Sequence, residues 1–116
     1  MKTVVGFEAF EKEVIRKGEP VVVLFEATYC PFSQAFRKVI ERYDGKLPLR
    51  IVSVLLDDWG DPLWIRYRIE VTPTLAVFSG GRMTYRIDGV LGVGLSERDV
   101  RKLAAYLATQ GKQETK

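Results

Sequence analysis

The first third of the chain combines apolar residues at helical spacing with one nearly continuous apolar run. In FEAFEKEVIRKG, residues 7–18, apolar side chains recur every three or four positions. This period predicts an amphipathic helix, and Gly18 and Pro20 are typical of its end. The next segment, VVVLFEA at residues 21–27, is too short for a typical helix and predicts a strand that is covered on both faces. A short strand at 3–5 is predicted to open the fold.

Two further helices and one strand are predicted in the middle of the chain. Pro31 suits the first turn of a helix, where its missing N–H costs nothing, and an apolar stripe then continues to Tyr43. The run LRIVSVLL, residues 49–56, predicts a second central strand. After the turn DDWGDP, a short helix is predicted from Pro62 to about Tyr67.

The last third of the chain predicts a hairpin followed by a helix. Two glycines separate the segments PTLAVFS at 73–79 and RMTYRIDGV at 82–90, and so short a link favours antiparallel pairing. Ser96, followed three residues later by Asp99, resembles a capping box at a helix start. The apolar face behind it predicts that this closing helix packs on the sheet.

The order of these elements predicts one α/β domain at residues 1–110. Two strands that alternate with helices, followed by a hairpin and a last helix, indicate a central mixed β-sheet with helices on both faces. A chain of 116 residues is long enough for one hydrophobic core. We expect the tail GKQETK, residues 111–116, to fray.

Composition narrows the possible functions. The 18 Lys and Arg residues interleave with 15 Asp and Glu residues, a pattern that gives little support for a nucleic-acid partner. One cysteine and no histidine exclude an internal disulfide, a four-ligand zinc site and His-dependent catalysis, so we expect no metal and no cofactor. Because the sequence has neither a membrane-spanning run nor a secretory signal, we expect a cytoplasmic protein without a membrane partner. The absence of asparagine hints at a thermophilic source.

The single cysteine, Cys30, lies where a strand is predicted to meet a helix. Unpaired amide groups and the peptide dipoles at a helix start favour the thiolate, the form that attacks disulfides. Ser33, one turn further, is placed to donate a hydrogen bond to the sulfur. The charge of Glu26 would instead raise the thiol pKa if it lay close, so the net direction stays open. A free cysteine is often a buried, inert packing residue, but a surface junction favours reactivity.

Several segments together resemble the thioredoxin family over essentially the whole chain. FEATYC is similar to the family's FWAxWC pattern and keeps an aromatic residue at Tyr29, and the sequence VTPT before the hairpin matches the family's β-branched-Pro-Thr segment. The resemblance implies the thioredoxin fold, with Pro73 in a cis peptide bond beside Cys30. It also implies that the backbone of Thr72 pairs with an extended substrate segment and that Tyr29 and Pro31 contribute to substrate binding.

Three residues depart from the family's pattern. Ser33 stands where the family has the second cysteine of its C-x-x-C pair, so this chain alone has no neighbouring thiol to resolve a mixed disulfide. Leu24 stands where the family has a buried acid, and Glu26 replaces a tryptophan.

These features favour a monothiol thiol-disulfide oxidoreductase. In this hypothesis Cys30 and Ser33 form the catalytic pair, a protein disulfide or glutathione is the substrate, and an external thiol is the reductant. The alternative is a non-catalytic thioredoxin-fold module that binds proteins, which Leu24 and Ser33 motivate.

Four other residues are candidates for the site. Trp59 and Trp64 are more typical of core or half-covered packing than of a partner surface. Arg37 and Lys38, on the helix after Cys30, are more typical of a solvated helix face than of a site for an anionic ligand.

Overall fold

A computed structural model describes the backbone of residues 1–114 and the side chains of residues 1–110. Within these residues the chain forms five strands and four helices, and the first helix continues into a π-helical segment. In chain order these elements are β1 (Lys2–Val5), α1 (Gly6–Phe10), the π-helical segment (Glu11–Ile15), β2 (Val21–Glu26), α2 (Pro31–Glu41), β3 (Ile51–Leu55), α3 (Leu63–Arg66), β4 (Thr74–Ser79), β5 (Arg82–Asp88) and α4 (Glu97–Glu114).

The five strands form one mixed sheet in the order β1-β3-β2-β4-β5. Strands β1, β3 and β2 are parallel, whereas β4 is antiparallel to both β2 and β5. The parallel pairs require the crossovers that α1 and α2 supply, and the two-glycine link allows only the hairpin. The predicted mixed sheet is therefore confirmed, with β2 as its central strand.

Alternation along β2 divides the core into two layers. Val21, Val23 and Phe25 pack on one face of the sheet, while Val22 and Leu24 pack on the other. The first layer is completed by residues of α1 and α3, and the second by residues of α2 and α4. Every residue of β2 is buried, which explains why its first five residues are apolar without alternation.

Several boundaries differ from the sequence-based prediction. The second half of the predicted opening helix has π geometry, and the Arg16 amide donates to the Glu11 carbonyl oxygen at 2.8 Å. Apolar spacing does not separate the two forms, because both place the same residues towards the sheet. Helix α4 reaches Glu114, four residues into the tail predicted to fray. The side chains from 111 onward and residues 115 and 116 lie outside the described residues, so fraying stays a prediction.

One of the two hydrogen bonds of the capping box predicted at the start of α4 is present. The backbone amide of Ser96 donates to the Asp99 carboxylate at 2.8 Å. Within the part of the chain that the structure describes, no helix has both the length and the apolar character needed to cross a membrane.

Glu13 is a buried carboxylate that joins the π-helical segment to the sheet. Its oxygens accept hydrogen bonds from Lys17 Nζ and Lys2 Nζ, both at 2.9 Å, and from Arg50 Nη1 at 2.8 Å. The bonds from Lys17 and Lys2 outweigh the cost of burial and, with Arg50, lower the pKa of Glu13 to about 2. The folded state therefore holds this group ionised far into the acid range.

We expect Glu13→Gln to destabilise the protein by about 1 to 2 kcal/mol at pH 7. This value already allows for solvent screening of the ion pairs, because Lys2 and Lys17 are about half exposed. A lowered acid pKa stabilises the folded state fully above the ordinary value of 4.5, and this contribution is lost as the pH falls to about 2. Urea unfolding at pH 7 and pH 2.5 measures it, with Glu8→Gln as a control because Glu8 is exposed on α1. A Glu13→Gln deficit of equal size at both pH values would contradict the assignment.

Candidate active site

Cys30 is the residue that caps the N-terminus of α2. Its backbone is extended, with φ −90° and ψ 118°, and Pro31 occupies the first helical turn. The Cys30 amide donates to the Ala27 carbonyl oxygen at 3.1 Å, and its own carbonyl accepts the Gln34 amide at 3.0 Å. The side chain is half-buried, so the sulfur is open to a reaction partner.

The loop that leads to Cys30 is fixed from two sides. Asp57, just beyond β3, accepts hydrogen bonds from the Thr28 amide at 2.8 Å and the Thr28 hydroxyl at 2.5 Å. The Gln34 side chain donates to the Thr28 carbonyl oxygen at 2.6 Å. Sequence reasoning missed Asp57, although a carboxylate after a parallel strand is a usable signal for such a contact.

The pKa of the Cys30 thiol lies below its ordinary value. Burial raises this pKa, but hydrogen bonds from the Thr72 side chain, from the amide and hydroxyl of Ser33 and from the Phe32 amide together outweigh burial. The protonated thiol has an acceptor of its own in the Thr72 carbonyl oxygen, 3.6 Å from the sulfur. The amides at the start of α2 and two hydroxyl groups therefore decide the balance in favour of the thiolate.

Ser33 lies directly behind the sulfur and is fully buried. Its hydroxyl oxygen accepts the Ala27 amide at 3.3 Å, which leaves the hydroxyl hydrogen free to point at Cys30. The serine thus connects the end of β2 to the first turn of α2.

Thr72 and Pro73 lie on the other side of the sulfur, just before β4. The peptide bond that joins them is cis. Gly89 packs so closely against this turn that a Cβ atom there would lie 2.4 Å from the Pro73 carbonyl oxygen. The structure thus brings together Cys30, Ser33 and Thr72, and the neighbouring Tyr29, Pro31 and Pro73 surround them.

The position of Glu26 in the sequence suggested that its charge raises the thiol pKa of Cys30, but its carboxylate has other partners. It is buried, and its carboxylate accepts hydrogen bonds from Ser53 and, at 2.6 Å, from Arg37. Burial raises the pKa of Glu26, while Ser53 and Arg37 oppose that rise. Glu26 is not among the groups with the largest influence on the pKa of Cys30. The prediction of a solvated Arg37 is wrong, because the buried carboxylate needs a cation to offset its lost hydration.

Trp59 and Trp64 extend the site as an aromatic wall together with Tyr29. The ring centroids of Tyr29 and Trp59 lie 5.8 Å apart, and those of Trp59 and Trp64 lie 5.3 Å apart with planes within 8°. Trp64 packs on the core as expected, but Trp59 is 75% exposed, so the expectation of covered packing is wrong for Trp59. Trp64 already covers the core at this point, and Trp59 stacks on its outer side.

A groove runs past the sulfur between this wall and the loop that follows β5. Sequence reasoning missed Glu70, Leu91 and Gly92, which line the groove with Val71 and the residues already named. Among the described residues, no group of three or more His, Cys, Asp and Glu side chains is arranged to hold a metal ion.

Comparison with known proteins agrees with this geometry. The thioredoxin family model matches residues 2–102. A thioredoxin-like protein of Synechocystis is 31% identical over 85 residues, which cover 72% of this chain and 81% of that protein. Chloroplastic thioredoxin Y of Oryza sativa is 30% identical over 73% of this chain, but the match spans only 51% of the rice protein.

Solved thioredoxin structures have the same fold. Thioredoxin of Fasciola hepatica matches with a TM-score of 0.72 at 20% identity, over 91% of this chain and 98% of its own. Oxidised thioredoxin O2 of Arabidopsis thaliana matches with a TM-score of 0.68 at 24% identity, over 91% and 94%. At these identities the structures establish the fold, and the family model establishes the membership. The chain belongs to the thioredoxin family.

Proposed function

We propose that this protein is a thiol-disulfide oxidoreductase that works through Cys30 alone. The observation that carries the proposal is a half-exposed thiol at the start of α2 whose pKa is lowered, with a serine where a second thiol would stand. Members of the thioredoxin family exchange disulfides of proteins with thiol reductants. A single cysteine is compatible with the first exchange, which forms a mixed disulfide, and an external thiol is needed for the second.

The proposed reaction has two exchange steps. The Cys30 thiolate attacks one sulfur of a substrate disulfide, the substrate S–S bond breaks, and the second substrate sulfur leaves as a thiolate that takes a proton from solvent. A new S–S bond then joins Cys30 to the substrate. An external thiolate attacks the substrate sulfur of this mixed disulfide, the bond to Cys30 breaks, and Cys30 leaves again as a thiolate. A new S–S bond then joins the substrate to the external thiol, and a second external thiolate releases the substrate thiol by attacking the external sulfur of that bond.

The surrounding residues have separate roles in this proposal. The Ser33 hydroxyl and the amides of the first turn of α2 stabilise the charge on Cys30 each time it is the attacking or leaving group. The backbone of Thr72 pairs with an extended substrate segment, and Pro73, Tyr29 and Pro31 shape the surface that this segment contacts. The substrate is a protein disulfide or glutathione.

Alkylation kinetics test the reactivity of Cys30. We expect the rate with iodoacetamide to rise with pH through a midpoint below the value of about 8.5 that is typical of a free cysteine, because hydrogen bonds stabilise the thiolate. Intact mass after exposure to a disulfide should show one mixed disulfide per chain, and Cys30→Ser should form none. A midpoint at or above the free value together with no adduct would overturn the proposal.

A non-catalytic binding module is the second candidate. The observations that favour it are Ser33 and a fully apolar, buried Leu24 in place of a proton-accepting group. An unreactive Cys30 and a Cys30→Ser variant with unchanged partner binding would support this function instead. The cytoplasmic location stays a prediction.

A further inference from the structure

We propose that the groove beside Cys30 selects a protein segment with an apolar residue and a lysine or arginine near its disulfide cysteine, and that it disfavours glutathione. This inference rests on the proposed function, because it names the class of disulfide that the Cys30 site accepts. Three observations support it: an exposed aromatic wall, an apolar loop opposite the wall, and the sign of the charge between them.

The aromatic wall gives the groove a large apolar surface that also attracts cations. Tyr29, Trp59 and Trp64 form one continuous set of ring contacts that begins next to Cys30. Tyr29 is 49% and Trp59 75% exposed, so most of this surface is available to a partner. Faces of tryptophan and tyrosine rings bind alkyl chains and the cationic groups of lysine and arginine.

The loop at 90–94 presents one apolar side chain, that of Leu91, on the opposite side. Leu91 is 84% exposed and lines the groove. The loop is closed by hydrogen bonds between the backbones of Val90 and Gly94, at 3.1 Å and 2.7 Å, and is therefore preorganised. Gly94 lies against Phe32, where an added Cβ atom would be 2.9 Å from the Phe32 Cβ. A segment between the wall and this loop contacts apolar surface on both sides.

Among the described residues, Glu70 is the only Asp, Glu, Lys or Arg side chain that lines the groove. Glu70 is exposed and follows α3, immediately before Val71 and Thr72. Asp57 and Asp58 precede Trp59 in the chain and add negative charge at the wall. An extended segment that carries a lysine or arginine complements these charges.

The nearby basic residues do not line the groove. Arg86 is engaged by the carbonyl oxygens of Tyr67 and Arg68 and by Asp88. Arg68 lines a neighbouring depression that shares Glu70 and Val71 with the groove, and Arg37 is held by Glu26. Each half of oxidised glutathione carries two carboxylates and one ammonium group and therefore has a net negative charge. The acidic residues at the groove repel this charge.

The test compares peptide disulfides that differ in one charge. Three peptides share one cysteine and one leucine and carry lysine, glutamine or glutamate two residues from the cysteine, each as a disulfide with 2-mercaptoethanol. We expect the rate of mixed-disulfide formation with Cys30 to be about 3- to 10-fold higher for the lysine than for the glutamate peptide, and the difference to shrink at high salt. Oxidised glutathione should react more slowly than the lysine peptide.

Two variants connect the preference to the groove. Glu70→Lys should reverse the order of the charged peptides, whereas Glu8→Lys makes the same charge change at an exposed position outside the groove and should preserve it. Trp59→Ala should slow all three peptides. Each peptide rate is divided by the rate with bis(2-hydroxyethyl) disulfide, which is small and neutral. This ratio corrects for changes in the reactivity of Cys30 itself.

The outcomes separate this inference from the proposed function. If bis(2-hydroxyethyl) disulfide reacts but the peptide rates are independent of charge and of Glu70, or if glutathione reacts fastest, the groove assignment is wrong and the reactive thiol stands. If no disulfide reacts, the proposed function fails and this inference fails with it.

Discussion

Ser33→Cys is expected to raise the rate of protein disulfide reduction by at least about 100-fold at millimolar external thiol. The reason is the position of Ser33, which lies within hydrogen-bonding reach of the Cys30 sulfur in the first turn of α2. A thiol at this place attacks the mixed disulfide within the molecule. In the protein with Ser33, an external thiol must first collide with the mixed disulfide. Turnover of a protein disulfide with dithiothreitol as reductant measures the gain.

Two controls isolate the contribution of the second thiol. Ser33→Ala removes the hydroxyl without adding a thiol and should show no gain in turnover. The double variant Cys30→Ser, Ser33→Cys keeps one thiol at the buried position and should be nearly inactive. Equal turnover by the protein and by Ser33→Cys would mean that resolution of the mixed disulfide does not limit the reaction.

Gly89→Ala is expected to destabilise the protein by about 3 kcal/mol. Its Cβ would lie 2.4 Å from the Pro73 carbonyl oxygen, a backbone atom that moves only if the turn before β4 moves. Because Thr72 and Pro73 flank Cys30, we also expect the variant to change the pH midpoint of Cys30 alkylation. Urea unfolding and alkylation kinetics measure the two effects.

Gly60→Ala is the matched control for this prediction. A Cβ at Gly60 meets only a side-chain oxygen of Asp58, at 3.4 Å, and the backbone there is not in the left-handed region. We expect a change in stability below about 0.5 kcal/mol. If Gly89→Ala were as stable as Gly60→Ala, the close approach between Gly89 and the turn at Pro73 would be disproved.

Most of the fold could be predicted from the sequence, because the sequence signals that determine its elements are local. The apolar run of β2 and the paired glycines at 80–81 each determine their own structure through burial or turn length. The position of Cys30 at the start of α2 followed from Pro31 and the apolar stripe behind it. The mixed sheet then followed from the order of the elements.

The side-chain partnerships of the site lay beyond sequence reasoning. Arg37 reaches Glu26 across 11 positions, and Asp57 reaches Thr28 across 29, so neither pair shares a local pattern. The exposure of Trp59 depends on Trp64, which covers the core first. Periodicity reports which face of an element is apolar, but it does not report which of two neighbouring tryptophans is outermost.

The hydroxyl of Ser33 has a consequence for how partners meet this protein. A serine linking β2 to α2 cannot join an internal disulfide, so no intramolecular S–S bond forms at the start of α2 under oxidising or reducing conditions. In the reaction proposed above, redox conditions therefore change only the bonding of the Cys30 sulfur.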